Sequence, residues 1–384
     1  MKWALVAFTL LLVASAIAEE VGNDLEIAKE CNEATCILPN CRCSSTDIPG
    51  GLDPRDTPQL VLLTFDDGVN VVNVQKYRTL YGRKNKNGCP IGVTYFVNHE
   101  YTNYRLVNEL YNMGFEIALH SISHQTPQTY WAEATYETMM REFADQKRQM
   151  AHFANIPIND IHGMRIPFLQ MSGNSSFQMM NSAGLTYDSS WPTSRFTNPG
   201  LWPYTLDYAS TQDCMIPPCP TASIPGPWVL PLITWFDLNG FPCSFVDACI
   251  FRPDINDEEA WFRFIMGNFE RHYKGNRAPF GFYVHEWFIT STPAIRRAFT
   301  RFLDLLNNLH DVFMVNASEA IEFARNPVKI DEYKKKACRS RPFAPCPFKS
   351  CGPLTAEHTL MTYWMEVCTA CPNVYPWLGN PLGN

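Results

Sequence analysis

Apolar residues along this chain fall into two recurring patterns. Short, nearly unbroken apolar runs occur at Gln59–Phe65, Gly92–Val97, Glu116–Leu119, Gly163–Pro167, Leu185–Ser189, Val229–Trp235 and Phe280–His285. Runs of this length, continuous rather than alternating, predict strands buried on both faces. Between them lie longer segments with apolar positions three and four apart, the helical repeat. Tyr104–Met113 stops at Gly114, a residue suited to a left-handed terminus. Ala132–Ala154 reads as one long amphipathic helix. Asp257–Tyr273 follows Asn256, a capping residue, and has Glu258 and Glu259 in its first turn. Pro293–Leu309 opens on a proline at a tolerated position. About seven strands alternating with helices predict an α/β fold with a mostly parallel sheet, open or closed into a barrel.

The two ends break this rhythm. Residues 19–58 and 326–384 have few periodic stretches and hold most of the 14 cysteines, the remainder lying at Cys89, Cys214, Cys219, Cys243 and Cys249. Residues 1–18 read as a secretory signal peptide: Lys2, an apolar Ala4–Val13, then Ala16-Ile17-Ala18 as a cleavage site. In an exported chain such cysteines are expected to form disulfides that pin both ends onto the central unit, residues 59–325. Neither cluster has the paired spacing of a zinc knuckle. Asn174-Ser175-Ser176 and Asn316-Ala317-Ser318 are glycosylation acceptors, in keeping with export. A net charge of −7 with scattered Lys and Arg argues against nucleic acid or an anionic membrane as partner.

The unusual polar residues stand at the ends of the predicted strands. Asp66 and Asp67 close the first, His120 and His124 follow the third, and Arg165, Asp188 and His285 sit at the fourth, fifth and last. In a parallel α/β barrel these ends open on one face, where active sites are built. His120 and His124 are four apart without the Glu of a peptidase H-E-x-x-H, so alone they mean little. With a neighbouring carboxylate they make three ligands around open positions, the pattern of catalytic zinc. Arg165 and Asp188 fit roles as partners that hold a base and orient a histidine acid.

Taken in order, Thr64-Phe65-Asp66-Asp67, His120-Ser121-Ile122-Ser123-His124, Arg165-Ile166-Pro167-Phe168, Asp188-Ser189-Ser190-Trp191 and Val284-His285 resemble the five motifs of the NodB-like polysaccharide deacetylases, carbohydrate esterase family four. Asn87–Ile91, Asn98–Thr102, Gly281–His285 and Tyr375–Leu378 are similar to segments of insect chitin deacetylases of the gut type. The resemblance implies a distorted (β/α) barrel of about seven strands with disulfide-rich N- and C-terminal extensions. It implies a secreted, monomeric, Zn²⁺-dependent hydrolase of chitin or chitooligosaccharides, found in the gut lumen or peritrophic matrix. Asp67, His120 and His124 would hold the metal, which lowers the pKa of water to about 7. Asp66, steadied by Arg165, would be the general base, and His285, tuned by Asp188, the acid that protonates the departing amine. The Phe168 N–H would face the oxyanion, and Trp191 and Phe282 would wall the acetyl pocket. Phe168 stands where the family usually has Tyr, and Phe282 where a Leu is expected; Glu286 has no assigned role. Two other readings remain open: an inactive chitin-binding matrix protein, and a deacetylase of another acetylated polysaccharide.

Overall fold

The computed structural model describes residues 25–384, so the signal-peptide reading of residues 1–18 lies outside the described residues. The sheet is built from β1 (Gln59–Asp66), β2 (Thr94–Val97), β3 (Glu116–Leu119), β4 (Gly163–Met164), β5 (Tyr187–Asp188), β6 (Tyr204–Leu206), β7 (Ile224–Val229), β8 (Phe280–Val284) and β9 (Val312–Val315). Its order is β8-β1-β2-β3-β4-β5-β7-β6, with β9 also paired to β1. All pairings are parallel except β6 with β7, and the sheet curls into an open, barrel-like shell.

Burial on both faces explains the unbroken apolar runs. Every residue of β1 is buried. Val61, Leu63 and Phe65 join the cluster beneath the outer helices, whereas Leu60 and Leu62 pack with Phe96, Trp228 and Phe313 inside the curl. Because side chains alternate, Thr64 and Asp66 continue that inward row to the C-terminal rim. The outer layer holds α1 (Tyr104–Asn112), α2 (Asp145–Ala154), α3 (Asn174–Ala183), α4 (Glu258–Tyr273) and α5 (Pro293–Asn308), whereas α6 (Ala317–Arg325) packs Ala317, Ala320, Ile321, Phe323 and Ala324 into the cluster of Leu60 and Leu62. The α4 cap is Asp257, whose side chain accepts from the Ala260 N–H, rather than the expected Asn256. In α5 the helical repeat puts Phe299 and Phe302 against the sheet, where both pack on Phe282.

Three segments differ from expectation. The helix expected over Ala132–Ala154 is broken into Thr129–Ala132, Tyr136–Met139, a π-turn at Met140–Ala144, and α2. The π-turn surrounds Glu142, a fully buried carboxylate that accepts from the backbone N–H groups of Ile122 and Ser123, the Ser123 hydroxyl and Tyr130. Inserted residues of this kind re-aim one side chain, here onto the loop that carries His124. The strand expected over Val229–Trp235 ends at Val229 and resumes only as Leu232–Ile233 and Trp235–Phe236, because Pro231 has no N–H for the ladder. The C-terminal extension contains a hairpin, β10 (Lys349–Thr355) and β11 (Thr362–Val367), which short alternating segments did not reveal.

All 14 cysteines are paired. Cys31–Cys43 and Cys36–Cys41 close the early cluster, and Cys346–Cys368 and Cys351–Cys371 the late one. Cys89–Cys338 ties the C-terminal extension to the loop before β2. Asn316 is not available as a glycosylation site: it is the buried N-cap of α6, in a capping box with Glu319. Asn174 lies at the surface start of α3, where its side-chain Oδ1 accepts from the N–H groups of Thr221 and Ala222. Among the described residues, no helix is long and apolar enough to cross a membrane.

Candidate metal centre and catalytic face

The expected ligands converge at the C-terminal ends of β1 and β3. Asp67, His120 and His124 each offer a ligand atom, all within 4.8 Å of one another. His120 Nε2 and His124 Nε2 lie 3.8 and 3.6 Å from Asp67 Oδ1. The His120 Nδ1–H donates to the Arg165 carbonyl at 2.7 Å, which leaves Nε2 as the lone-pair nitrogen facing the cluster. Burial, then His124, lowers the His120 pKa to about 3, so its imidazole is neutral and able to ligate. The loop backbone is bent to reach this arrangement: Asp67, Ser121 and His124 have φ of 80°, 74° and 44°. Positive φ at three side-chain-bearing residues is costly and persists where surroundings over-determine it. Gly68 relieves part of the crowding, since a Cβ there would sit 3.1 Å from Asn98 Oδ1, the Glu100 carbonyl and Thr102 Oγ1. The donor set, two imidazoles and one carboxylate, with the His120 tautomer fixed by its bond to the Arg165 carbonyl, fits a divalent transition metal.

Asp66 lies beside the cluster, with Oδ2 3.8 Å from His120 Nε2. Its other oxygen accepts from Arg165 Nη1 at 2.5 Å. Arg165 is itself fully buried, donating to Thr64 Oγ1, to the Ser189 carbonyl and to Ser189 Oγ, under the ring of Phe96. Burial raises the Asp66 pKa, and the Arg165 and His285 charges oppose that rise.

His285 lies on the other side, with Nε2 3.8 Å from Asp67 Oδ2. Its acidic partner is Asp247 and not, as expected, Asp188. The His285 Nδ1–H donates to Asp247 Oδ2 at 2.6 Å, and its backbone N–H donates to the same oxygen at 3.1 Å. Asp247 sits in a single turn, Val246–Ala248, closed by the Cys243–Cys249 disulfide, and Phe245 of the same loop stacks on the imidazole at 5.2 Å. Burial disfavours the imidazolium, but Asp247, Asp66 and Asp67 outweigh it and raise the His285 pKa to about 9. Asp188 points elsewhere: it is fully buried and accepts from the Ser190 N–H and hydroxyl, while Ser190 Oγ accepts from the Ile166 N–H. Burial raises Asp188 to about 6. It therefore braces the turn that presents Phe168.

Phe168 has φ 58° and ψ 11° inside the turn Pro167–Leu169. Its ring, 42% exposed, meets His124 edge-on at 5.4 Å. Trp191 is buried, donating its indole N–H to the Asp213 carbonyl and packing on Tyr204. Phe282 does not wall the site: strand alternation turns it to the helical layer, against Trp235, Phe299 and Phe302. The inward residue of β8 is Tyr283, whose ring lies 5.1 Å from the Arg165 guanidinium. Glu286 begins the one-turn helix after His285 and accepts from the Thr290 hydroxyl. Sequence reasoning missed Glu142 and Asp247; a carboxylate between two cysteines six apart was the one local signal for the latter.

A candidate three-ligand site set between a buried acid–guanidinium pair and a histidine–carboxylate pair is an arrangement suited to hydrolysis. Residues 53–188 match the family model described as "Polysaccharide deacetylase". The chain is 63% identical to "Chitin deacetylase 8" of Bombyx mori, over 100% of both chains. It is 35% identical to "Chitin deacetylase 1" of Bombyx mori, over 95% of this chain and 70% of that one. A solved family 4 carbohydrate esterase from Streptomyces lividans, in complex with acetate, aligns at TM-score 0.33 and 16% identity, over 64% of this chain and 90% of that chain. The chain belongs to the polysaccharide deacetylase family.

Proposed function

We propose that this chain is a secreted, zinc-dependent deacetylase that hydrolyses the N-acetyl groups of chitin or chitooligosaccharides to acetate and free amine. The observation that carries this reading is the three-ligand cluster flanked by Asp66–Arg165 on one side and His285–Asp247 on the other. The relatives' names supply the substrate class.

Asp67, His120 and His124 would hold the ion, which when bound polarises the acetyl carbonyl and makes water a better nucleophile at neutral pH. Asp66 accepts the water's proton; Arg165 keeps that carboxylate aimed and unable to swing toward bulk solvent. The N–H of Phe168, in the first turn after Pro167, has no intrahelical acceptor and supplies a donor to the developing oxyanion. His285 donates its proton to the leaving nitrogen, a requirement for an amide because an unprotonated amine departs poorly. Asp247 holds Nδ1, so the proton delivered comes from Nε2, which faces Asp67. Residues 59–325 are read as the catalytic unit, residues 19–58 as a flank cross-linked only within itself, residues 326–384 as a flank pinned through Cys89–Cys338, Asn174 as the glycan acceptor, and the chain as a monomer.

The test is acetate release from acetylated chitooligosaccharides, with and without chelator, alongside zinc content. His120→Ala and His124→Ala are expected to lose both metal and activity, since two remaining ligands bind far more weakly. Undiminished activity in excess chelator, or full zinc content in both variants, overturns the assignment.

A further inference from the structure

The C-terminal hairpin of β10 and β11 has two different faces. Cys351 opposite Met365 and Leu354 opposite Tyr363 turn inward, with the first three of these residues buried. Ser350 opposite Glu366, and Thr355 opposite Thr362, turn outward. Between them stands Trp364, 67% exposed although it is among the largest side chains in the extension. Its indole lies against Gly352: a Cβ at that position would come within 2.6 Å of the ring. Gly352 therefore serves as the seat of the indole, and most of the ring remains in water. Asn103 and Arg105 both donate to Glu366, at 2.9 and 2.8 Å, and the Arg105 guanidinium lies over the exposed ring of Phe348. Cys346–Cys368 and Cys351–Cys371 hold the hairpin in shape, so an outward ligand meets a surface already ordered.

The outward row around Trp364 is more polar than the centre of a protein interface. Such an interface has a contiguous apolar core depleted in charge. Exposed Phe348 stands nearby, and Leu360 and Met361 lie at the hairpin turn, but the outward row around the indole carries the hydroxyls of Ser350, Thr355 and Thr362 and the Glu366–Arg105 pair. A β-linked amino sugar has the matching chemistry, an apolar C–H face for the indole and an equatorial rim of hydroxyl and acetamide groups for the border. The hairpin also adjoins the catalytic face. On its inward side Tyr363 donates to Glu100 and its ring lies 6.2 Å from the exposed Tyr101. That loop packs on Gly68, next to the proposed ligand Asp67, and Thr102 accepts from the Val69 N–H.

We propose that the outward face of this hairpin, centred on Trp364, is a second binding site for β-linked N-acetylglucosamine polymer, separate from the catalytic cleft. This rests on the chitin reading above. A chain held there raises the effective concentration of acetylated units at the neighbouring mouth.

The experiment compares Trp364→Ala and Trp364→Phe with the parent, measuring retention on insoluble chitin in an Asp66→Asn background and acetate release from a soluble tetramer in the active one. Trp364→Ala is expected to weaken retention about tenfold and to leave tetramer turnover within about twofold of the parent, with Trp364→Phe recovering part of the retention. Parental retention by Trp364→Ala overturns the proposal, as does a tetramer loss as large as the retention loss, or no retention of the parent at all. A parent that releases no acetate from any oligomer, yet is retained through Trp364, overturns the deacetylase reading and leaves the second site standing.

Discussion

The two flanks of the candidate metal site are held by different means. On the base side, Asp66 and Arg165 are enclosed, and every hydrogen-bond partner of the guanidinium comes from β1 or from the turn just beyond β5. The parallel register of the sheet fixes that geometry. On the acid side, the His285 side chain is 31% exposed and its partner comes from a disulfide-closed loop outside the main sheet. A pair locked into the core is coupled to folding, because removing one member leaves an uncompensated buried charge. A pair on a cross-linked loop can lose its charge with less effect on the fold, and its changes should be visible in catalysis first.

The largest expected effect lies on the base side. Asp66→Asn should cut acetate release by about 10²–10⁴-fold, the usual contribution of a general base, with zinc content retained. It should also lower Tm, since Arg165 loses its buried carboxylate, and by more than any change at Asp247. An active Asp66→Asn, or a Tm equal to the parent's, would remove the distinction between the flanks.

Next comes Asp247→Asn, expected to lower kcat about tenfold with KM little changed. The sign of the pH effect follows from the role. In the proposed role His285 works protonated, and its pKa, raised to about 9 by Asp247 and by Asp66 and Asp67, keeps it so through neutral pH. Activity should therefore fall as pH rises through about 9 in the parent. Without the Asp247 carboxylate this limb should move down, toward the ordinary imidazole value of about 6.5. An unmoved limb in a pH–rate profile contradicts the pairing.

The smallest effect belongs to Asp188→Asn. Asp188 bonds Ser190 and does not touch His285, so its neutral replacement should leave the alkaline limb in place. Whatever activity is lost should come through the turn bearing Phe168. A limb displaced as far as in Asp247→Asn would restore Asp188 as the tuning acid.

Much of this was legible because it is local. Six of the seven expected strand positions, the two histidines and the paired aspartates carry periodicity and strand-end placement within a few residues of each other, and those are sequence properties. The family resemblance implies Phe282 as a pocket wall, whereas alternation along β8 sends Phe282 outward and Tyr283 inward. Glu142 looked like one residue of an ordinary helix; only the π-turn shows it bonded to the histidine loop. Asn316 matched an acceptor motif, but its carbonyl is used as a helix cap.

The chain's own order thus determined the strand–helix alternation, the polar residues at strand ends and a cysteine content that closes into disulfides, since each depends on neighbours in sequence. The tertiary structure alone decided which acid serves His285, which carboxylate braces the metal loop, and which face of the C-terminal hairpin meets solvent. Those contacts join residues 38, 19 and 263 positions apart, at His285–Asp247, Ser123–Glu142 and Tyr363–Glu100. Hydrogen bonds at such separations are set by how packed elements meet, and no local spacing encodes them.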